Sequence, residues 1–171
     1  AEIERIDTAN KQVITNEDTF QYDYLVIATG ASTNFFGNKN LERHAFPMKS
    51  TVEALQLRHK LIQNFEDALH TSNADELEKL MNIVVVGGGP TGVELSGAIA
   101  EMKKYVLPKD YPELDFSKMN IYLLEGTGKT LASMSEQSSS NSLNYLQRLG
   151  VTVKTNALLQ DYDGEQVTLK D

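Results

Sequence analysis

The sequence predicts a three-layer α/β fold with a central parallel sheet and an antiparallel β-hairpin or meander, and three observations predict it. Ile83-Val84-Val85-Val86 is a short β-branched run that stops at Gly87-Gly88-Gly89, the pattern of a strand buried on both faces. An amphipathic stretch follows, and after it a second apolar run, Ile121-Tyr122-Leu123-Leu124. Strand and helix alternating in this way make a parallel sheet with helical crossovers.

Each element can be justified in turn. Ile3 and Ile6, then Val13 and Ile14, read as a two-stranded ribbon turning through Asp7 to Asn10. Residues 22–28, Tyr-Asp-Tyr-Leu-Val-Ile-Ala, are expected to form a fully buried strand ending at Thr29-Gly30. Residues 31–49 hold Gly37, Pro47 and several asparagines and are expected to be loop. Ser50-Thr51-Val52-Glu53 has capping-box spacing, and Leu55, Leu61, Ile62, Phe65 and Leu69 follow at helical intervals, so 51–70 is a helix. Residues 73–81 are an acidic helical lead-in to the strand at 83–86. Pro90 suits the first helical position, and Leu95, Ile99, Met102 and Val106 give that helix its apolar stripe. Leu107 to Lys118, with Pro108 and Pro112, is expected to be a surface excursion. Beyond the strand at 121–124, a helix over 136–149 ends at Gly150, a left-handed cap. Val151 to Val153 is the next strand, and Val167 to Leu169 closes an antiparallel hairpin.

Composition narrows the class of function. With 171 residues, 40% hydrophobic and 23% charged, the chain can bury the core of one ordinary globular domain. A formal charge of −8 argues against a nucleic-acid partner, which needs a basic footprint, and against this portion lying on an anionic membrane. The chain has no cysteine, which excludes disulfides, thiolate metal ligands and a redox dithiol within these residues. No apolar run approaches the roughly 20 residues of a membrane helix, and no signal peptide opens the chain. Its start at Ala1 without methionine is expected of a piece of something longer. His44, His59 and His70 have no metal-ligand spacing with nearby acids, and no metal is expected.

The chemistry sits in Gly87-x-Gly89-x-x-Gly92, placed between a strand and a helix that starts at Pro90-Thr91. A pyrophosphate carries two negative charges, and a helix N-terminus offers unpaired N–H groups and a favourable dipole. Gly87 permits the tight turn, Gly89 lets backbone approach the phosphates, and Gly92 allows the helix to pack closely. This is the fingerprint of a Rossmann-like NAD(P)-binding domain. Its second half is an acid at the end of the next strand, accepting hydrogen bonds from the adenosine ribose. Glu125, followed by Gly126, holds that position, although the 107–118 excursion lengthens the usual spacing of about 20 residues. A carboxylate there repels a 2′-phosphate, which favours NADH over NADPH; Lys129, a nearby cation, weakens the preference slightly. Glu94, one turn into the helix, reads equally well as an acid favoured by the dipole or as a group facing the nicotinamide.

Ala28-Thr29-Gly30 after an apolar run, together with Gly87-Gly88-Gly89-Pro90-Thr91-Gly92-Val93-Glu94, resembles the two-dinucleotide flavoproteins, in which the nicotinamide domain is inserted into an FAD domain. Within that superfamily the run from Val84 to Phe116, excursion included, is most similar to type II NADH dehydrogenases, the single-subunit NADH:quinone oxidoreductases. The resemblance implies that Ala28, Thr29 and Gly30 lie on the FAD side of the crossing between domains. It implies that Glu94 is the catalytic glutamate beside the nicotinamide and flavin, positioning the ring and assisting proton transfer. It implies NAD (NADH) as cofactor here and FAD bound mainly by residues outside this chain, with hydride passing from NADH to flavin and electrons then to a quinone. Residues 1–30 would be the tail of an FAD domain and 31–171 a nearly complete NADH domain, inactive alone. The FAD glycine motif and membrane-docking helices of such enzymes are not among these residues. The implied setting is cytoplasmic, peripheral on the inner face of the cell membrane.

Two other readings stay open on sequence. One is the NAD domain of a soluble disulfide, ferredoxin or oxygen-linked reductase; the other is a nucleotide-sensing domain without catalysis. Helix 51–70 is equally compatible with packing inside its own domain and with a homodimer contact.

Overall fold

The computed structural model describes residues 1–170. The chain divides into two compact units, Ala1–Ser32 and the remainder from Thr33. In the first unit, β1 (Ile3–Asp7), β2 (Gln12–Thr15) and β3 (Thr19–Gln21) form an antiparallel meander in that order. The Asp7 carboxylate accepts the Ala9 and Asn10 amides at 3.1 and 3.0 Å, closing the first turn in the way a short acidic side chain does. Lys11 takes the left-handed conformation at φ +52°. The expected two-stranded ribbon therefore gains a third strand, and β3 escapes pattern reading because Phe20 is its single apolar residue and all three of its residues are exposed.

The strand expected over 22–28 does not form. Those residues join no ladder, and Tyr24, Val26 and Ile27 are 94%, 85% and 66% exposed. A strand is a pairing rather than a local conformation, and an apolar run without a neighbour to bond keeps only its propensity.

The second unit opens with a helix where loop was expected. α1 (Lys39–His44) is started by Asn38, whose side chain accepts the Asn40 and Leu41 amides, so the asparagine that suggested loop acts as a cap. Asn38 and Asn40 also donate to the Asp161 carboxylate at 3.0 and 2.9 Å, tying α1 to a late strand. α2 (Thr51–His70) begins at the predicted capping box, with Ser50 and Glu53 bonding each other's backbone amides. Its buried residues are Phe65 and Ala68, while Leu55 is half-exposed. α3 (Ala74–Met81), capped by Asn73, leads straight into β4 (Asn82–Val86).

From β4 the chain builds the parallel sheet. α4 (Pro90–Tyr105) crosses to β5 (Asn120–Leu124), and α6 (Glu136–Arg148) crosses to β6 (Thr152–Lys154); α5 (Leu107–Asp110) lies between α4 and β5. The order is β4-β5-β6, with Ile83 opposite Ile121, Val85 opposite Leu123 and Leu123 opposite Val153. α6 stops at Gly150, whose φ of +86° only glycine adopts without penalty. β7 (Leu159–Tyr162) and β8 (Val167–Leu169) close the expected hairpin.

Two expectations about the core need correction. On α4 the expected stripe faces the core at Leu95, Ile99 and Met102 but not at Val106, which is 44% exposed, and the fully buried positions also include Gly92, Ser96, Gly97 and Ala100. Small side chains set this interface, and they let the helix come close to β5 and to Leu146 of α6. The 107–118 excursion is also more than surface. Leu107 and Phe116 are 4% and 7% exposed, and Met119 just beyond is 0% exposed; the Phe116 ring meets Phe65 of α2 edge-on at 5.8 Å. Pro108 sits in the first turn of α5 and Pro112 lies just past its end, and the excursion's apolar residues pack against Phe65 of α2 and the core.

Candidate nucleotide-binding site

The site forms where β4 ends. The Gly87 amide donates to the Leu124 carbonyl at 2.8 Å, carrying the β4–β5 ladder one residue further. Gly87 then turns at φ +104°, a region that L side chains rarely enter. Gly89 is the N-cap of α4 and has an ordinary φ of −73°. No side chain caps that helix start, and a Cβ on Gly89 would meet nothing within 4 Å. The first N–H groups of α4, which begin at Thr91 because Pro90 has none, thus carry no side-chain cap, and the space beside Gly89 is open, as anion binding at a helix N-terminus requires.

Gly92 is required for a different reason. A Cβ there would sit 1.9 Å from the Gly87 carbonyl oxygen, so the third glycine of the motif protects the turn made by the first. Gly88 has its own role, which spacing did not assign. Its amide donates to Glu125 Oε2 at 2.6 Å, and a Cβ on it would lie 3.0 Å from that same oxygen.

Glu125 stands at the end of β5, partly buried. Its Oε1 accepts the Thr127 amide at 2.6 Å, so each oxygen holds one backbone N–H. Burial alone pushes this carboxyl up, but hydrogen bonds from Thr127 and from the Gly88 amide outweigh burial and leave it below the usual carboxylate value. The group is a carboxylate at neutral pH. A carboxylate has about four lone-pair sites, so acceptor capacity remains for ribose hydroxyls. Gly126 follows immediately, and a Cβ on it would press on Leu158 at 3.2 Å.

A second group of residues, absent from the motif, holds the loop in place. The Leu131 amide donates to the Gly88 carbonyl at 2.7 Å, and Leu131 adopts φ +51° to do so. A non-glycine residue in that region costs about 1–3 kcal/mol, which the surrounding contacts must offset. Thr130, 1% exposed, anchors the same loop through its hydroxyl, 2.7 Å from Ser142 Oγ on α6. The Gly88 peptide is therefore clamped on both sides, by Glu125 and by Leu131. The sequence signal for this loop was faint: Gly126, Gly128 and small polar residues between a strand and a helix.

The remaining predicted residues are placed as follows. Pro90 is the first residue of α4 and Thr91 the second; both are exposed. Glu94 is exposed on the second turn of α4. Ala28, Thr29 and Gly30 belong to the first unit and are exposed, with Gly30 at φ +75°. The structure thus brings Gly87–Gly92 together with Glu125 and Gly126.

A parallel sheet, a glycine turn and an acid after the second strand describe many dinucleotide domains, and comparison with known proteins narrows the choice. The whole chain, residues 1–171, matches the sequence profile described as pyridine nucleotide-disulphide oxidoreductase. The chain belongs to that family. Within the pyridine nucleotide-disulphide oxidoreductases it is 35% identical over 173 aligned residues to the type II NADH:quinone oxidoreductase Ndh of Mycobacterium tuberculosis, covering 99% of this chain and 37% of that protein. It is 32% identical to the mitochondrial external alternative NAD(P)H-ubiquinone oxidoreductase B4 of Arabidopsis thaliana, covering 100% of this chain and 31% of that one. Among solved structures, NDH2 from Plasmodium falciparum in complex with NADH aligns with a TM-score of 0.79 at 28% identity, over 93% of this chain and 33% of that chain. A ferredoxin reductase from Rhodopseudomonas palustris shares the fold alone, at a TM-score of 0.56 and 18% identity. The chain spans between 31% and 37% of the length of these two curated relatives. No helix among the described residues is long and apolar enough to cross a membrane.

Proposed function

We propose that this chain is the NADH-binding portion of a flavin-dependent NADH:quinone oxidoreductase. The observation that carries the reading is the clamped glycine turn. It leaves the first amides of α4 uncapped beside Gly89 and sets the Glu125 carboxylate against Gly88. In this reading the pyrophosphate lies over Gly87–Gly92, with Pro90 and Thr91 at the helix start. Glu125, with Gly126 behind it, accepts the adenosine ribose hydroxyls. The fit rests on open space where a phosphate must approach and on a charged acceptor where hydroxyls must be read.

The chemistry is hydride transfer from NADH to FAD, and then delivery of electrons to a quinone; the cofactors supply the redox step and the protein supplies orientation and electrostatics. Glu94 is assigned the nicotinamide end, supported by its exposed position one turn into the same helix that receives the pyrophosphate. Residues 1–30 are assigned to an FAD-binding domain and 31–171 to the NADH domain. Ala28-Thr29-Gly30 then lies on the flavin side, and the unpaired apolar run over 22–28 is what a strand lacking its sheet neighbours would look like. Quinone reduction, docking on the inner face of the cell membrane and any homodimer belong to the intact protein in this proposal.

Gly89→Val tests the reading in the chain itself. Its φ is ordinary and its surroundings are open, so the variant keeps the fold while filling the space the phosphates need. Calorimetric titration is expected to show NADH binding to the parent chain and none to the variant; equal binding by both would refute the proposal.

A further inference from the structure

The loop after β5 contains a cation that sequence reading set against NADH selectivity. The structure shows that cation already committed. Lys129 Nζ is paired with Glu136 Oε1, on the first residue of α6. The Lys129 backbone lies close to the acid: the Glu125 carboxylate holds the Thr127 amide, and the Thr127 hydroxyl donates to the Lys129 carbonyl at 3.1 Å. A second lysine lies at the same end of the sheet. The Lys154 carbonyl accepts the Glu125 amide at 2.8 Å, but its ammonium lies 5.9 Å from the centre of the Tyr122 ring. Each lysine beside the ribose-reading carboxylate therefore has another partner.

We propose that Glu136 is a specificity-determining residue: by holding Lys129 it withholds the counter-charge that a 2′-phosphate would need, and so reinforces the rejection of NADPH by Glu125. The inference rests on the nucleotide-binding reading above and deepens it. Its physical basis is that discrimination needs both a repulsive group and the absence of an attractive one. Glu125 provides the repulsion directly. Glu136 acts through another residue and touches no nucleotide, so it works on NADPH affinity while leaving NADH nearly unmoved. The side chains are 36% and 85% exposed, so the pair is readily broken and its effect is modest and sensitive to salt.

The test is calorimetric titration of the full chain and its variants with NADH and with NADPH at low ionic strength. Glu136→Ala is expected to tighten NADPH binding by about twofold to fivefold, the upper part of the range of exposed ion-pair effects, while NADH affinity changes less than twofold. Lys129→Met alone should leave both affinities unchanged, because the lysine is withdrawn already. The double variant should lose the NADPH gain. An unchanged NADPH affinity in Glu136→Ala, a gain that survives in the double variant, or a loss of NADPH affinity in Lys129→Met would each overturn the proposal: the first denies the effect, the second shows that it does not run through Lys129, and the third assigns it to net charge, which the double variant leaves as in the parent. Failure of the parent chain to bind either nucleotide is the separate outcome that removes the nucleotide-binding reading, and this inference with it.

Discussion

At the scale of single residues, the glycine turn is governed by three unlike constraints that one motif conceals. Gly87 is needed for its dihedral angle, Gly92 for the 1.9 Å that a Cβ would leave to the Gly87 carbonyl, and Gly89 for open space. They predict different failures. Gly92→Ala forces backbone to move and should destabilise the chain by about 1–3 kcal/mol. Gly97→Ala, on the same helix with its nearest neighbour at 3.9 Å, should be neutral or stabilise by up to about 1 kcal/mol. Urea midpoints for the two variants check this, and equal losses would contradict it. Glu125 contributes a pH dependence. Its carboxyl lies lower in the folded chain than its ordinary value of 4.5, so the ionised form is the one the fold favours. The stability it adds is present above that ordinary value and is lost as pH falls through the lower, folded one. The stability gap between the parent and Glu125→Gln, followed by denaturation from neutral pH downward, should shrink across that window; a gap that widens on acidification would reverse the sign. Glu125 was legible in the sequence from its place after the second strand. Leu131 and Thr130 were not, because a backbone amide reaching a carbonyl 43 positions earlier leaves no mark in residue type.

At the scale of elements, legibility followed how local the cause was. α2 could be read to the residue because its capping box lies within four positions. β4 and β5 could be read because each carries four consecutive apolar residues ended by glycine or acid, although Val84 and Val86 of β4 are 36% and 53% exposed rather than buried on both faces. α1 was hidden by Asn38, which signals a loop and a helix cap with equal force. The strand over 22–28 was expected on propensity and is missing because pairing is non-local. On α4 the expected stripe held at Leu95, Ile99 and Met102 and failed at Val106, while the buried Gly92, Ser96, Gly97 and Ala100 beside it escaped notice because small residues carry no apolar signal. The excursion supplies the prediction at this scale. Phe116 is 7% exposed and packed on Phe65, so Phe116→Ala should cost about 3–5 kcal/mol, as a core phenylalanine does. A purely superficial excursion would lose no more than about 0.5 kcal/mol. Chemical denaturation separates the two.

At the scale of the whole molecule, the two units stand differently to their sequence. From Thr33 onward the chain has a core built by α2, α4, α6 and the parallel sheet, and its architecture is the one the alternation of runs predicts. The first unit has a three-stranded meander and an exposed apolar tail. That contrast fits the division proposed above, a nucleotide domain preceded by part of another. The central claim, that Gly87–Gly92 and Glu125 together form an NADH site, is tested most directly by titrating the full chain with NADH and NADPH beside Gly89→Val. The account predicts NADH binding that exceeds NADPH binding and vanishes in the variant. NADH affinity that is absent from the parent chain, or unchanged by a valine at the phosphate approach, would contradict it.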